Sequence, residues 1–344
     1  MELKKSVTIH DIAKALNINS STVSRALNDN PRVSAKTKKL VHDKAKEMHY
    51  QYNSLASNLR TQKSNTIGII VPHITKHFFS TAISGIEEEA HKAGYNVIIC
   101  QSKDSEQLEA KNINTLLSSR VDGILISPAI KTTTVQHIQK AMDRNVPIFF
   151  FDRYIDEINT TRVITNDRAT SKELTLHLLS QNINKLAVLT GDTSVSIYEN
   201  RVKGIYDAFQ QSGWNTESRL ILQQIKLDVD DAYTAINKWL DENVEFDAVF
   251  GMNDMAAIGS QKALQERGFR IPEDVIVAGF SNEPISKLVS PPITTVHQPA
   301  MEIGKLAAKK MINHIEEKDK SLLASETAVL ESHLIIRTSS QRNK

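Results

Sequence analysis

Residues 8–28 read TIHDIAKALNINSSTVSRALN, and this stretch decides that the chain opens with a small helical module. Thr8 is placed to cap a first helix, with Asp11 three residues on, and Ile9, Ile12, Ala13 and Leu16 recur at helical spacing on one face. Asn17, Ile18 and Asn19 form the turn, and asparagine tolerates the left-handed conformation better than any residue except glycine. A second helix starting at Asn19 or Ser20 buries Val23 and Leu27 and leaves Ser20, Ser21, Ser24 and Arg25 outward. Short hydroxyls around one arginine suit a groove of DNA, because arginine bonds a guanine edge bidentately while serines permit close approach. Taken alone, the same stretch also fits a helical hairpin whose polar face is merely solvated.

The residues after this hairpin favour the DNA reading. A third helix is expected from Ser34 to about His49, with Ser34 as its cap and Val33, Leu40, Val41, Ala45 and Met48 closing a three-helix core. Lys36, Thr37 and Lys38 fall near its start, where backbone amides and cations both favour a phosphate. Residues 1–63 carry twelve Lys and Arg against five Asp and Glu, whereas the remaining chain carries 30 against 35. The formal net charge of +2 therefore hides a basic head on an acidic body, the pattern of a phosphate-binding module joined to a separate regulatory one. Between them lies NSLASNLR, residues 53–60, shorter than the roughly 12 to 15 residues an isolated helix needs, so it is expected to be helical only when packed against something. If two copies pair on DNA, Leu59 is placed to wedge into the minor groove; a plain linker is the alternative.

From Ile67 the pattern changes to short apolar runs alternating with amphipathic stretches. Strands are expected at 67–72, 95–100, 121–127, 146–151, 185–190, 220–225, 246–251 and 275–280, with a shorter run at 161–165 and a last strand over 328–339. Continuous apolar strands with helical crossovers predict an α/β body of two doubly wound, parallel-sheet lobes behind the all-α head. The expected divisions are a helix-turn-helix domain at 1–52 and a hinge and linker at 53–65. The first lobe is expected at 66–165 plus about 297–324, and the second at 166–296 plus about 325–340.

In such folds ligands bind outside the carboxyl ends of strands. Those positions hold residues 73–79, Asp152 with Arg153, residues 191–201, Asn253 with Asp254, and Ser281 with Asn282. Aromatic rings, carboxamides, carboxylates and arginines together make a site for a carbohydrate or nucleoside. The structural alternative is that Phe78 is core, Asp152 and Arg153 pair with structural neighbours, and Asn253 caps the next helix.

Composition narrows the remaining classes. With 344 residues, 40% hydrophobic and 24% charged, the chain has the make-up of an ordinary soluble protein of two or three domains. One cysteine, Cys100, rules out a disulfide framework and a cysteine zinc site and is expected to be a structural thiol. The start lacks a signal-like apolar stretch, so a cytoplasmic protein is expected rather than a secreted sugar-binding transport protein. No G-x-G-x-x-G, Walker loop, G-x-S-x-G or H-E-x-x-H occurs and the eleven histidines are scattered; no enzyme, cofactor or metal is expected.

Eight stretches together carry a resemblance: VTIHDIAKALNINSSTVSRALN, VSAKTKKLVHDKAKEMHY, NSLASNLR, TIGIIVPHITKHFFS, FGMNDMAAIG, VIVAGFSN, PPITTVHQP and LIIRTSS. Over essentially its whole length the chain resembles transcriptional regulators of the lactose/galactose repressor (LacI) family. The resemblance implies a homodimer on a near-palindromic operator in double-stranded DNA, and a small-molecule effector, a pentose or related sugar first, held between two lobes. It places Thr8, Ser20, Ser21, Thr22, Ser24, Arg25 and Asn28 at DNA, with 20, 21 and 25 reading bases. Ser34, Lys36 and Thr37 form the phosphate-facing start of the third helix, and Asn53, Ala56 and Leu59 fall on the hinge. Phe78, Phe79, Asp152, Arg153, Arg201, Asn253, Asp254, Ser281 and Gln298 fall at the effector cleft. The chain departs from the family pattern at Asn17 for a turn glycine, Tyr52 for a proline before the hinge, Ser281 for an acid and Leu227 for an aromatic. No leucine-heptad tail follows Ser340, so no tail-mediated tetramer is expected.

Overall fold

A computed structural model describes residues 7–50, 63–130, 132, 134–319 and 324–342. The chain divides into two compact units, Met1–Ser64 and Asn65–Lys344. The hinge positions Asn53, Ala56 and Leu59, and Tyr52, lie outside the described residues.

The first unit is three short helices, α1 (Ile9–Leu16), α2 (Ser20–Leu27) and α3 (Ala35–Glu47). Thr8 and Asp11 form a reciprocal capping box on α1: Asp11 N–H donates to Thr8 Oγ1 and Thr8 N–H donates to Asp11 Oδ2 at 2.8 Å. Asn17 ends the helix at φ 53°, the left-handed conformation its turn position called for. An Asn17→Ala variant is expected to lose about 1 kcal/mol of stability in this unit, and Asn17→Gly close to none, read by thermal unfolding. Ile12, Ala13, Val23, Ala26, Val41 and Ala45 form the core, with Leu16, Leu27, Val33 and Met48 packed around it. Leu40, expected in that core, is instead half exposed: it precedes Val41 by one residue and so lies about 100° round the helix from it.

The second unit holds two lobes. In the first lobe β1 (Thr66–Val71), β2 (Asn96–Gln101), β3 (Gly123–Ile126), β4 (Ile148–Phe151), β5 (Arg162–Thr165) and β11 (Thr327–Leu330) form a six-stranded parallel sheet in the order β11-β5-β4-β3-β1-β2. In the second, β6 (Leu186–Thr190), β7 (Leu220–Gln224), β8 (Ala248–Gly251) and β9 (Ile276–Ala278) run parallel in the order β7-β6-β8-β9. The burial of β1, β3, β4, β6 and β8 is near continuous, as helices on both faces demand.

The first lobe's helices are α4 (His77–Lys92), α5 (Glu106–Ser118), α6 (Gln136–Met142) and α12 (Ala300–Glu316); the second's are α7 (Asp167–Leu179), α8 (Ser196–Ser212), the short α9 (Thr216–Arg219), α10 (Val229–Asp241) and α11 (Asp254–Glu266). Helices α4 and α12 meet backbone to backbone: a Cβ at Gly304 would lie 2.0 Å from the Ala82 carbonyl oxygen, and one at Gly85 2.2 Å from that of Met301. This close approach ties the late helix to the first lobe, where Ile303, Ala307, Ala308 and Met311 join its core.

The single strand expected over 328–339 is two. Strand β11 pairs with β5 and belongs to the first lobe, not the second, while β12 (His333–Ile335) pairs antiparallel with β10 (Thr295–His297), a strand not expected at all. Three residues of β12 reach only one neighbour, too short a run for the alternation signal to register. The chain thus crosses between lobes three times, from β5 to α7, from β10 to α12 and from β11 to β12.

Candidate functional site

On the first unit, Ser21, Arg25 and Asn28 are exposed along one side of α2, with Ser20, Thr22 and Ser24 half-buried beside them. The α2 N-terminus has no side-chain cap, since Asn19 makes none, so its first amides face outward unbonded by side chains. Asn28 ends the helix, its Nδ2 donating to the Ser24 carbonyl at 2.7 Å. Ser34 accepts from Thr37 N–H at 3.2 Å and caps α3, leaving Lys36 exposed on its first turn. Two helix N-termini, a row of hydroxyls and cations are the donors a nucleic-acid backbone requires.

In the second unit a cleft of about 1590 Å³ opens between the lobes. Its first-lobe wall includes His73, Lys76, Asp104 and His137; its second-lobe wall includes Tyr198, Leu227, Asn253 and Glu283. Phe79, Asp152, Arg153, Arg201 and Gln298 are all buried, and Phe78 packs edge-on to Phe79 with centroids 5.3 Å apart. Arg153 donates from Nη1 to Asp104 Oδ1 at 2.6 Å and to the Pro128 carbonyl at 3.2 Å, and Asp104 also lies 3.2 Å from His73 Nε2. Burial pulls the Asp104 carboxyl up, but Arg153 outweighs it and holds the group below its usual range. Asp152 stands in the left-handed region at φ 63°; burial pushes its carboxyl up to about 6 against the opposing pull of Arg153, with Ser127 Oγ donating at 3.4 Å.

On the other wall Arg201 donates from Nε to Asp167 at 2.8 Å and from Nη1 to the Met252 carbonyl at 2.7 Å, its guanidinium 3.7 Å above the Phe280 ring. Asn253 both lines the cleft and caps α11, its Oδ1 accepting from Ala256 N–H at 2.8 Å while Nδ2 donates to the Leu227 carbonyl. Ser281 donates to Gln298 Oε1 at 2.9 Å. The structural alternative is therefore met for these residues, whose side chains are locked by structural partners, and Asn253 also lines the cleft. The lobes touch directly as well: Tyr154 N–H donates to Ser196 Oγ at 3.3 Å, and Asn200 Nδ2 donates to the Tyr154 hydroxyl at the same distance.

Asp254 departs from the expected arrangement. Its fully buried carboxylate turns into the second lobe, accepting from Thr295 Oγ1 at 2.5 Å and Glu283 N–H at 2.6 Å; like Phe78, Phe79, Asp152, Arg153, Arg201, Ser281 and Gln298, and unlike Asn253, it is not among the residues lining the cleft. Burial pushes it up to about 7 although both hydrogen bonds oppose this. The native lobe therefore keeps a proton that the unfolded chain releases from about pH 4 upward, so stability from this group is present below about pH 4 and lost as pH rises to about 7. Asp254→Asn is expected to flatten the fall in melting temperature between pH 5 and pH 7 by about 2 kcal/mol equivalent; identical profiles would contradict the assignment.

Asp104 is a site residue that the sequence reading does not single out. It follows β2 by three residues, so the strand-end rule applied to that strand would have found it. His73 and Tyr198 fall inside the strand-end segments 73–79 and 191–201, whereas Glu283 carries no such signal. Among the described residues no group of histidine, cysteine or acid side chains is spaced to hold a metal ion, and no helix is long and apolar enough to cross a membrane.

Residues 64–337 match the family model for periplasmic binding proteins and the sugar-binding domain of the LacI family, and residues 8–53 match that for bacterial regulatory proteins of the lacI family. The chain belongs to the LacI family. This LacI-family chain is 30% identical to the ribose operon repressor of Halalkalibacterium halodurans over 90% of its own length and 91% of the relative's. It is 29% identical to the transcriptional repressor PurR of Vibrio cholerae, covering 91% and 92%. Among solved structures, the Lac repressor dimer bound to operator and an anti-inducer shares its fold at TM-score 0.87 and 22% identity, covering 98% and 100%. A LacI-family regulator from Enterococcus faecium with bound ribose aligns at TM-score 0.71 and 27% identity, covering 81% and 100%.

Proposed function

We propose that this chain is a cytoplasmic, sequence-specific DNA-binding repressor whose operator affinity is set by a sugar held between the two lobes. The observation that carries the reading is the pairing, in one chain, of a basic helix-turn-helix unit with a cleft lined from both lobes by polar and ring side chains such as His73, Asp104, Tyr198 and Asn253, with Arg153 and Arg201 buried in the two lobes. Ser20, Ser21 and Arg25 read bases; Thr8, Thr22, Ser24, Asn28, Ser34, Lys36 and Thr37 position the unit on phosphate. Phe78, Phe79, Asp152, Arg153, Arg201, Asn253, Ser281 and Gln298 form the effector floor, with Asp254 holding the second lobe in shape beneath it.

A homodimer supports this role. Edge strands β2 and β7 expose Ile98, Ile99 and Leu222, apolar side chains available to an isologous interface, and a two-fold pair of head units matches a near-palindromic operator. No catalytic step is assigned to it. Selection of bound sequences from random duplex DNA, with and without a panel of sugars, tests the reading: enrichment of a two-fold symmetric site is expected, and no enrichment would contradict it.

A further inference from the structure

Resting on that reading of the cleft, we propose that the effector carries a negative charge, as a sugar carboxylate or a sugar phosphate. Three independent features favour an acceptor-rich ligand over a neutral sugar. First, two buried donors, Arg153 Nε and Gln298 Nε2, have no hydrogen-bond partner among the described residues. Arg153 donates to Asp104, which lines the cleft, and Ser281 fixes the Gln298 amide by donating to its oxygen, which leaves the NH₂ as the unused end. A buried donor without a partner is costly, and an oxygen-rich ligand relieves it.

Second, apart from Asp152, which accepts from Ser127 at 3.4 Å, the carboxylates that would receive hydroxyl donors are largely committed elsewhere. Asp254 is tied to Thr295 and Glu283, and Asp104 is held by Arg153. At the mouth, Asp192 accepts from Ser194, Asp228 caps α10 and Glu106 accepts from Thr134. Glu283 is the acid that faces Lys76 and His77. Third, Lys76, Lys103 and Lys226 line the cleft from both lobes with no carboxylate at ion-pair distance among the described residues. Lys76 is also the N-cap residue of the sixteen-residue α4, which has no side-chain cap, so the positive end of that helix opens onto the same space. A neutral sugar leaves Lys103 and Lys226 unmatched and Lys76 facing Glu283 alone; an anion uses all three.

The test is calorimetric titration of the full chain with matched pairs: ribose against ribose 5-phosphate, glucose against glucose 6-phosphate, and glucose against glucuronate. In at least one pair the charged member is expected to bind at least about tenfold tighter, as charge-assisted bonds allow, with the advantage shrinking as salt rises. In a Lys76→Gln/Lys226→Gln double variant the advantage is expected to fall below about threefold while the melting temperature is kept. Neutral members binding as tightly as charged ones would overturn the charge assignment and leave the sugar reading standing. A charge preference that the double variant retains would overturn the role of these lysines. Absence of binding by every member would remove both the charge assignment and the sugar reading.

Discussion

Arg201→Ala is expected to destabilise the second unit by about 3–5 kcal/mol, the cost of leaving a buried partner charge uncompensated. Arg201 is 3% exposed and its guanidinium joins three elements: it donates to Asp167 at the start of α7 and to the Met252 carbonyl after β8, and it lies over Phe280 after β9. Removing it strands Asp167, itself buried, with the Thr165 hydroxyl at 2.8 Å as its one side-chain donor among the described residues. It also frees the Met252 carbonyl one residue before Asn253. Arg201→Met paired with Asp167→Asn is expected to recover part of the loss, because the double change removes both charges together and keeps the volume. Chemical denaturation of the three variants checks this; a loss below about 1 kcal/mol in the single variant would mean the pair is solvated and the inner wall looser than described.

Arg25→Ala is expected to cost about 1–3 kcal/mol of operator binding, roughly a 5- to 150-fold rise in Kd, and to loosen selectivity at one base pair of each half-site. Arg25 is exposed in the last turn of α2 between Val23 and Ala26, both fully buried, so the substitution leaves the unit's packing intact and the loss reports contact with DNA. Lys36→Ala, by contrast, is expected to weaken all sequences about equally and to reduce the salt dependence, as a phosphate contact does. Fluorescence anisotropy on the selected operator and on single-base variants separates the two. An Arg25 variant with undiminished selectivity would take the base-reading role away from this position.

Most of the architecture was legible because its signals are local. The turn at Asn17, the caps at Thr8 and Ser34, and the apolar runs that became β1 to β9 each follow from a few neighbouring residues. What escaped depends on residues far apart in the chain. Strand β11 reads as the start of one long strand until its pairing with β5, about 165 residues away, assigns it to the first lobe. Strand β10 has three residues and a partner 36 to 40 positions downstream. Leu40 looked apolar enough for the core, and only the packing of α3 against its neighbours shows Val41 and Ala45 facing inward instead.

The cleft was legible to the same degree. The strand-end rule found Asn253, which lines the cleft, whereas the direction in which Asp254 points follows from Thr295 on β10, a strand the sequence did not announce. Cys100 is half-buried against the first-lobe core, and burial raises its thiol, which fits a structural role.

The measurement that tests the account most directly is operator affinity by anisotropy, titrated with each sugar the body is found to bind, for the wild type and for Arg153→Leu. Coupling between two sites is worth about 1–3 kcal/mol where it operates, so at least one bound sugar is expected to shift the wild-type operator Kd by about 5-fold or more and to leave the variant's unchanged. A sugar that binds the body tightly while the wild-type operator Kd stays the same would contradict it.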